Sequence, residues 1–253
     1  MAIALHNEVV YFFGAVRFFT RLSVPAWVGH SPEALERSTR YLPAVGLIVG
    51  GSAALCFTLA SRFWPVSLAL LMSMALTLSM TGAFHEDGWS DMVDGFGAGG
   101  EKARILEVMK DSRLGTFGAL ALALMLVVKF FLLSGIPAPR LPAALLAGHA
   151  FSRLCVTLIL RSMDYVRFEG KAKPLSTHIG DNELVFAALT AFLPLFFLPF
   201  RPAAIAVFFA LAATCWLARA FKRHIGGYTG DCLGATQQLS EAAFYLGVSC
   251  AFS

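Results

Sequence analysis

The chain has 253 residues, of which 57% are hydrophobic and 14% charged, and its mean hydropathy is +0.69. An ordinary soluble domain carries about 25% charged residues, so this composition excludes a water-soluble fold and predicts an integral membrane protein. The formal charge of +4 is laid out along the chain as membrane topology lays it out, and it implies no nucleic-acid partner.

In chain order, the first predicted element is a helix over Glu8 to Thr20. Phe12, Phe13, Val16 and Phe19 form its apolar face, with Arg17 and Arg21 at its end, the pattern of an interfacial helix. No basic stretch precedes an apolar run with a small-residue cleavage site, so no cleaved signal peptide is expected. Spans are predicted at roughly 41–60, 65–84, 116–135, 141–160, 184–199, 203–219 and 238–253. The last three are short, which leaves six spans as an alternative to seven. The expected fold is all-α: one polytopic helical bundle over 1–253, preceded by the interfacial helix.

Lys and Arg alternate between connections. Arg17, Arg21, Arg37 and Arg40 precede the first span. Lys102, Arg104, Lys110 and Arg113 lie in the 85–115 loop, and Arg161, Arg167, Lys171 and Lys173 in the 161–183 loop. Arg219, Lys222 and Arg223 precede the last span, whereas the opposing connections carry only Arg62, Arg140 and Arg201. The positive-inside rule then places the N-terminus and the basic loops in the cytoplasm. Except for Glu241, every Asp and Glu falls on that same side. The five cysteines form no CxxC pair and read as packing residues, not as disulfides or zinc ligands.

The densest chemical signal follows the second span, from His85 to Gly97. Asp87, Asp91 and Asp94 stand at i, i+4 and i+7, so a helix would set all three on one face. Like charges that close repel unless a divalent cation neutralises them, and hard carboxylate oxygens suit Mg²⁺ or Mn²⁺ holding a phosphate. Before the third span, Lys110, Asp111, Ser112 and Arg113 offer cations and a hydroxyl to phosphoryl oxygens, or anchor the membrane surface. A Gly-rich stretch with Thr229 and Asp231 precedes the last span on the same predicted side, either as a second ligand wall or as a plain loop. Within spans, Arg153 and His149, one turn apart, and Lys129 need a polar interior.

These residues resemble the cobalamin synthase family, also called adenosylcobinamide-GDP ribazoletransferase. The resemblance rests on Thr81-Gly82-Ala83-Phe84-His85-Glu86-Asp87-Gly88, Asp91-Met92-Val93-Asp94-Gly95, Met109 to Gly118 and Gly227 to Ala235. Phe18 to Pro25 and Tyr41 to Gly46 are similar too. It runs from about residue 11 to 241. Ala83 stands where the family often has Gly, Trp89 where a smaller aliphatic is common, and Gln237 to Glu241 where a more acidic stretch is expected.

The resemblance implies transfer of adenosylcobinamide phosphate from adenosylcobinamide-GDP to α-ribazole or its 5′-phosphate, with GMP leaving, in the bacterial cytoplasmic membrane and with Mg²⁺. On that basis Glu86, Asp87, Asp91 and Asp94 hold one or two Mg²⁺. Asp91 and Asp94 are catalytic, Asp94 as the preferred general base. His85, Lys110, Asp111, Ser112, Arg113, Arg153, Thr229 and Asp231 bind substrate. Gly46, Gly50 and Gly51 suit close helix packing, which leaves a homo-oligomer or contact with other cobalamin-assembly enzymes open. The alternatives are a CDP-alcohol phosphotransferase, whose motif Asp91-Met92-Val93-Asp94-Gly95 meets only in part, and a cation or metabolite transporter.

Overall fold

A computed structural model describes residues 2–29, 31–167 and 179–252. Lys171 and Lys173 of the predicted basic loop lie outside the described residues. Among those residues the chain is all-α, with one isolated bridge between Tyr165 and Tyr228. The helices are α1 Ala2–Phe19, α2 Pro32–Ser38, α3 Leu42–Ala60, α4 Val66–Thr81, α5 Phe84–Ala98 and α6 Lys102–Val108. They continue with α7 Thr116–Ser134, α8 Leu141–Ser162, α9 Asp181–Phe192, α10 Phe200–Ile225 and α11 Gly230–Cys250.

α8 is the core of the bundle. Of its apolar window 83% is buried, against 22% for α7 and 28% for α10, so α8 is surrounded by protein while the others face lipid. Leu120, Leu124, Val127 and Phe131 recur along one side of α7 and are all exposed, as a lipid-facing stripe requires. Pro43 and Pro142 sit in the first turns of α3 and α8, where a missing N–H costs nothing. The glycines expected to permit close packing do so inside the chain: a Cβ on Gly46 or Gly50 would overlap the α8 backbone at His149 or Leu145. Gly46 and Gly50 are therefore spent on the α3–α8 contact and not on a second copy.

Each predicted span appears as a helix, but among the described residues four segments are long and apolar enough to cross a membrane on their own: Glu33–Ala60, Thr116–Ser134, Ala138–Ser162 and Phe200–Ile225. α4 qualifies only jointly with α5, across an 85° bend. At 16 residues α4 is about 24 Å long, short of the ~30 Å hydrocarbon core. The predicted 184–199 span is divided between α9 and a 3-10 turn at Leu193–Phe197, because Pro194 cannot continue the α-helical ladder. The last span begins eight residues earlier than expected, at Gly230. It carries Asp231, Gln237, Gln238 and Glu241 because α11 is packed among helices and need not be apolar on every face.

The stretch 85–115, expected as a loop, is instead two helices, α5 and α6. α5 carries four carboxylates, is not apolar enough to count as a span, and packs on α7 and α11. Its start is set by two successive left-handed residues, Gly82 (φ 66°) and Ala83 (φ 55°), which turn the chain sharply after α4. Among the described residues Ala83 is the sole non-glycine with positive φ. The C-terminal end of α5 meets that of α10, where Phe96 stacks on His224 with centroids 4.6 Å apart. This contact brings the basic end of α10 beside the acidic helix.

Candidate functional site

The site starts from α5. Its i, i+4, i+7 carboxylates do share a face, graded from exposed Asp87 through half-buried Asp91 to buried Asp94. Gly88 lies directly against the backbone of Asp231 and Gly234, so α5 and α11 approach without intervening side chains. That contact brings Asp231, in the first turn of α11, beside the α5 acids.

The electrostatics record the crowding. Burial, and then the charges of Asp87, Asp231 and Asp94, push the Asp91 carboxyl up to about 7. Arg167 joins the cluster, its Nη2 lying 2.8 Å from Asp231 Oδ2. Arg167 is held there by backbone pairing: Val166 N–H donates to Tyr228 O at 3.0 Å and Tyr228 N–H to Asp164 O at 2.9 Å. Sequence reasoning counted Arg167 only as a topological charge, since nothing local signals that residue 167 meets residue 231.

Asp94 has a different task. Its Oδ2 accepts the Gly115 N–H and its Oδ1 the Gly118 N–H, both at 2.8 Å, so it caps the start of α7. A Cβ at either glycine would overlap this carboxylate, which explains both glycines of Leu114-Gly115-Thr116-Phe117-Gly118. With both oxygens engaged and the side chain buried, Asp94 ties α5 to the first turn of α7. No described residue hydrogen-bonds to the side-chain carboxylate of Asp87 or Asp91.

Glu86 points into the bundle. Gln238 Nε2 donates to its Oε1 at 2.8 Å, and Lys129 Nζ donates to Gln238 Oε1 and to Glu241 Oε1, both at 2.8 Å. His149 Nδ1 lies 3.0 Å from Glu241 Oε2, and Gln237 bridges Ser152 and Glu241. Glu86, Lys129, His149, Glu241 and Tyr245 line a cavity with room for about one water. Lys129 and the Gln237 to Glu241 stretch thus form one buried network linking α5, α7, α8 and α11.

The other predicted substrate residues divide by burial. Arg153 is 1% exposed, faces the interior and donates to the His149 carbonyl of its own helix at 2.8 Å. Thr229 is fully buried and caps α11 by accepting the Cys232 N–H. His85 is buried among aromatic rings. Lys110, Ser112 and Arg113 are exposed on the loop that ends at Gly115. There Arg113 chelates Asp111, holding that carboxyl down at about 2.

Among the described residues no three His, Cys, Asp or Glu side chains are drawn together tightly enough to hold a metal. The donors themselves, carboxylate oxygens, are of the kind a hard divalent cation takes. Asp87 and Asp91 of α5 and Asp231 of α11 offer carboxylate oxygens, with Arg167 and the Thr229 hydroxyl partnering Asp231.

Comparison with known proteins bears on what this acidic face serves. The family described as cobalamin-5-phosphate synthase matches residues 11–249. The adenosylcobinamide-GDP ribazoletransferase of Ralstonia nicotianae is 45% identical over 245 residues, covering 95% of each chain. Those of Shewanella woodyi and Leptothrix cholodnii are each 43% identical, covering 96% of each chain. No solved structure matches. These matches favour neither a CDP-alcohol phosphotransferase nor a transporter. With its motifs spread along the entire matched length, this chain belongs to the cobalamin-5-phosphate synthase family.

Proposed function

We propose that the chain is an adenosylcobinamide-GDP ribazoletransferase that works with a divalent cation, Mg²⁺ by ligand hardness, with Mn²⁺ as a substitute. The observation that carries the reading is the convergence of Asp87 and Asp91 of α5 on Asp231 of α11, within a chain 43–45% identical to proteins of that name.

In the reaction a hydroxyl oxygen of α-ribazole, or of its 5′-phosphate, attacks the cobinamide-side phosphorus of adenosylcobinamide-GDP. A phosphodiester bond forms, the phosphoanhydride bond breaks, and GMP leaves with the bonding electrons. A bound cation supplies neutralisation of the diphosphate oxygens. Asp87, Asp91 and Asp231 would hold it. Asp91, half-buried and free of protein hydrogen bonds, is placed to take the hydroxyl proton and pass it to water. Asp94 fixes α7 against α5 and so sets the loop carrying Lys110 and Arg113, whose exposed cations suit the phosphates of the leaving nucleotide. Arg167 orients Asp231.

By the positive-inside rule the basic helix ends and loops support a cytoplasmic orientation of this face, in a bacterial inner membrane. GMP release from adenosylcobinamide-GDP and α-ribazole 5′-phosphate by the purified chain in liposomes, with and without Mg²⁺, tests the reading. Mg²⁺-dependent GMP from the wild type and none from Asp91→Asn is the expected result. No GMP from well-folded wild type overturns it.

A further inference from the structure

The face that α10 turns away from the bundle carries two kinds of side chain in succession. Phe208, Ala212, Cys215, Arg219 and Lys222 recur at alternate steps of four and three, so they form a single exposed stripe, flanked by Trp216 and Arg223. Phe208 is 67% exposed and Trp216 61%. The stripe is apolar as far as Trp216 and basic from Arg219 on.

Helix length fixes where that change falls in a membrane. Arg201 stands at the start of α10, and no charged residue follows it until Arg219. At 1.5 Å per residue the two lie ~27 Å apart along the axis, close to the ~30 Å of a hydrocarbon core. With Arg201 at one surface, Arg219, Lys222 and Arg223 therefore stand in the headgroup layer of the other, beside an indole of the kind that favours the interface. Lys102, at the start of α6, joins them: a Cβ on Gly226, the residue that caps α10, would lie 3.8 Å from its Nζ.

These four cations are not neutralised by the protein. Arg104, Arg113 and Arg161 each pair with a carboxylate. Among the described residues Lys102, Arg219, Lys222 and Arg223 pair with none, and Arg219 donates only to the Cys215 carbonyl, at 3.4 Å. The negative end of the α10 dipole offsets about half a charge, far less than four cations carry. An apolar stripe that leads into clustered, unpaired cations is complementary to a molecule with an acyl chain and an anionic head.

We propose that this face of α10 binds one anionic phospholipid, its acyl chain lying between Phe208 and Trp216 and its phosphate at Arg219, Lys222 and Arg223, independently of the reaction proposed above. The headgroup sits beside the joint with the acidic helix, where Phe96 of α5 stacks on His224 and meets Phe221 edge-on at 6.2 Å.

The test is quenching of Trp216 fluorescence in phosphatidylcholine bilayers that hold the full chain and a small, equal fraction of either phosphatidylglycerol or phosphatidylcholine with brominated acyl chains. Subtracting the signal of Trp216→Phe isolates Trp216 from the other tryptophans. The wild type is expected to favour brominated phosphatidylglycerol by at least about fivefold, the worth of one basic side chain at an anionic surface. Arg219→Gln, Lys222→Gln and Arg223→Gln combined are expected to abolish that preference, whereas Arg201→Gln, at the other end of the helix, keeps it. Unchanged quenching by brominated phosphatidylcholine shows that the combined variant is inserted; should it not insert, Lys222→Gln or Arg223→Gln alone is read in the same way, as a reduced preference. Equal quenching by the two lipids in the wild type, or a preference that survives the loss of these charges, overturns the site. So does a preference abolished by millimolar inorganic phosphate but not by chloride at the same ionic strength, because the cations then serve a free phosphate and not a lipid.

Discussion

The carboxylate of Asp94 receives the backbone N–H groups of Gly115 and Gly118, each at 2.8 Å, and so joins the acidic helix to the first turn of α7. The bond pattern is that of a helix cap supplied from another helix, and it separates Asp94 from its neighbours in function. Asp94→Ala is expected to destabilise the protein by about 1–2 kcal/mol, the usual worth of a lost cap. Asp94→Asn, which keeps one acceptor, should lose less and retain GMP release with an unchanged pH profile. Thermal unfolding in detergent alongside a pH–rate series checks this, and an Asp94→Asn variant that is stable but inactive at every pH would return the base role to Asp94.

Asp91→Asn should behave in the opposite way. Removing one of the mutually repelling charges leaves stability unchanged or raised, whereas loss of the proton acceptor lowers kcat by about 10²–10⁴-fold. A variant with both normal unfolding temperature and near-normal kcat would remove Asp91 from the mechanism.

The raised Asp91 carboxyl has a sign that can be tested. The folded protein holds this proton up to about pH 7, whereas the ordinary carboxyl value is 3.8. In the metal-free protein its contribution to stability is present below the ordinary value and is lost as pH rises to about 7. A cation must displace that proton. Apparent Mg²⁺ affinity should therefore increase with pH up to about 7 and then level, with proton release accompanying binding below that point. Calorimetry in two buffers of different ionisation enthalpy reads the released proton. Affinity independent of pH between 5.5 and 8 would exclude Asp91 as a ligand.

Lys129 and Glu241 form an ion pair at 2.8 Å with side chains 7% and 4% exposed. Breaking a buried pair strands the remaining charge, so Lys129→Met should cost about 3–5 kcal/mol. Lys129→Met combined with Glu241→Gln should recover much of this loss, because no stranded charge remains. Unfolding midpoints of the two single variants and the double variant test the coupling.

Ala83 adopts φ 55°, a conformation that costs an L-residue about 1–2 kcal/mol. Ala83→Gly should leave stability unchanged or raise it by up to about 1 kcal/mol. Gly82→Ala should lower it by more, since its Cβ would also overlap the Arg21 guanidinium. Equal effects from the two substitutions would show that the left-handed turn is not what sets the bend.

The membrane class, the all-helical bundle, the acidic face of α5 and the family were legible in the sequence. Each depends on composition or on short-range periodicity, which the chain carries locally: 57% hydrophobic residues, carboxylates at i, i+4 and i+7, and glycine-bracketed motifs. The partition of the motif residues depended on tertiary structure. Glu86 and Asp87 are neighbours in sequence, yet one helical step of about 100° turns Glu86 toward Gln238 and leaves Asp87 exposed. Asp91 and Asp94 share a face, but only Asp94 meets the free amides of α7. Arg167 reaches Asp231, and Lys129 reaches Glu241, across more than sixty residues of chain. Such pairings leave no local trace, because they are set by which helices pack together.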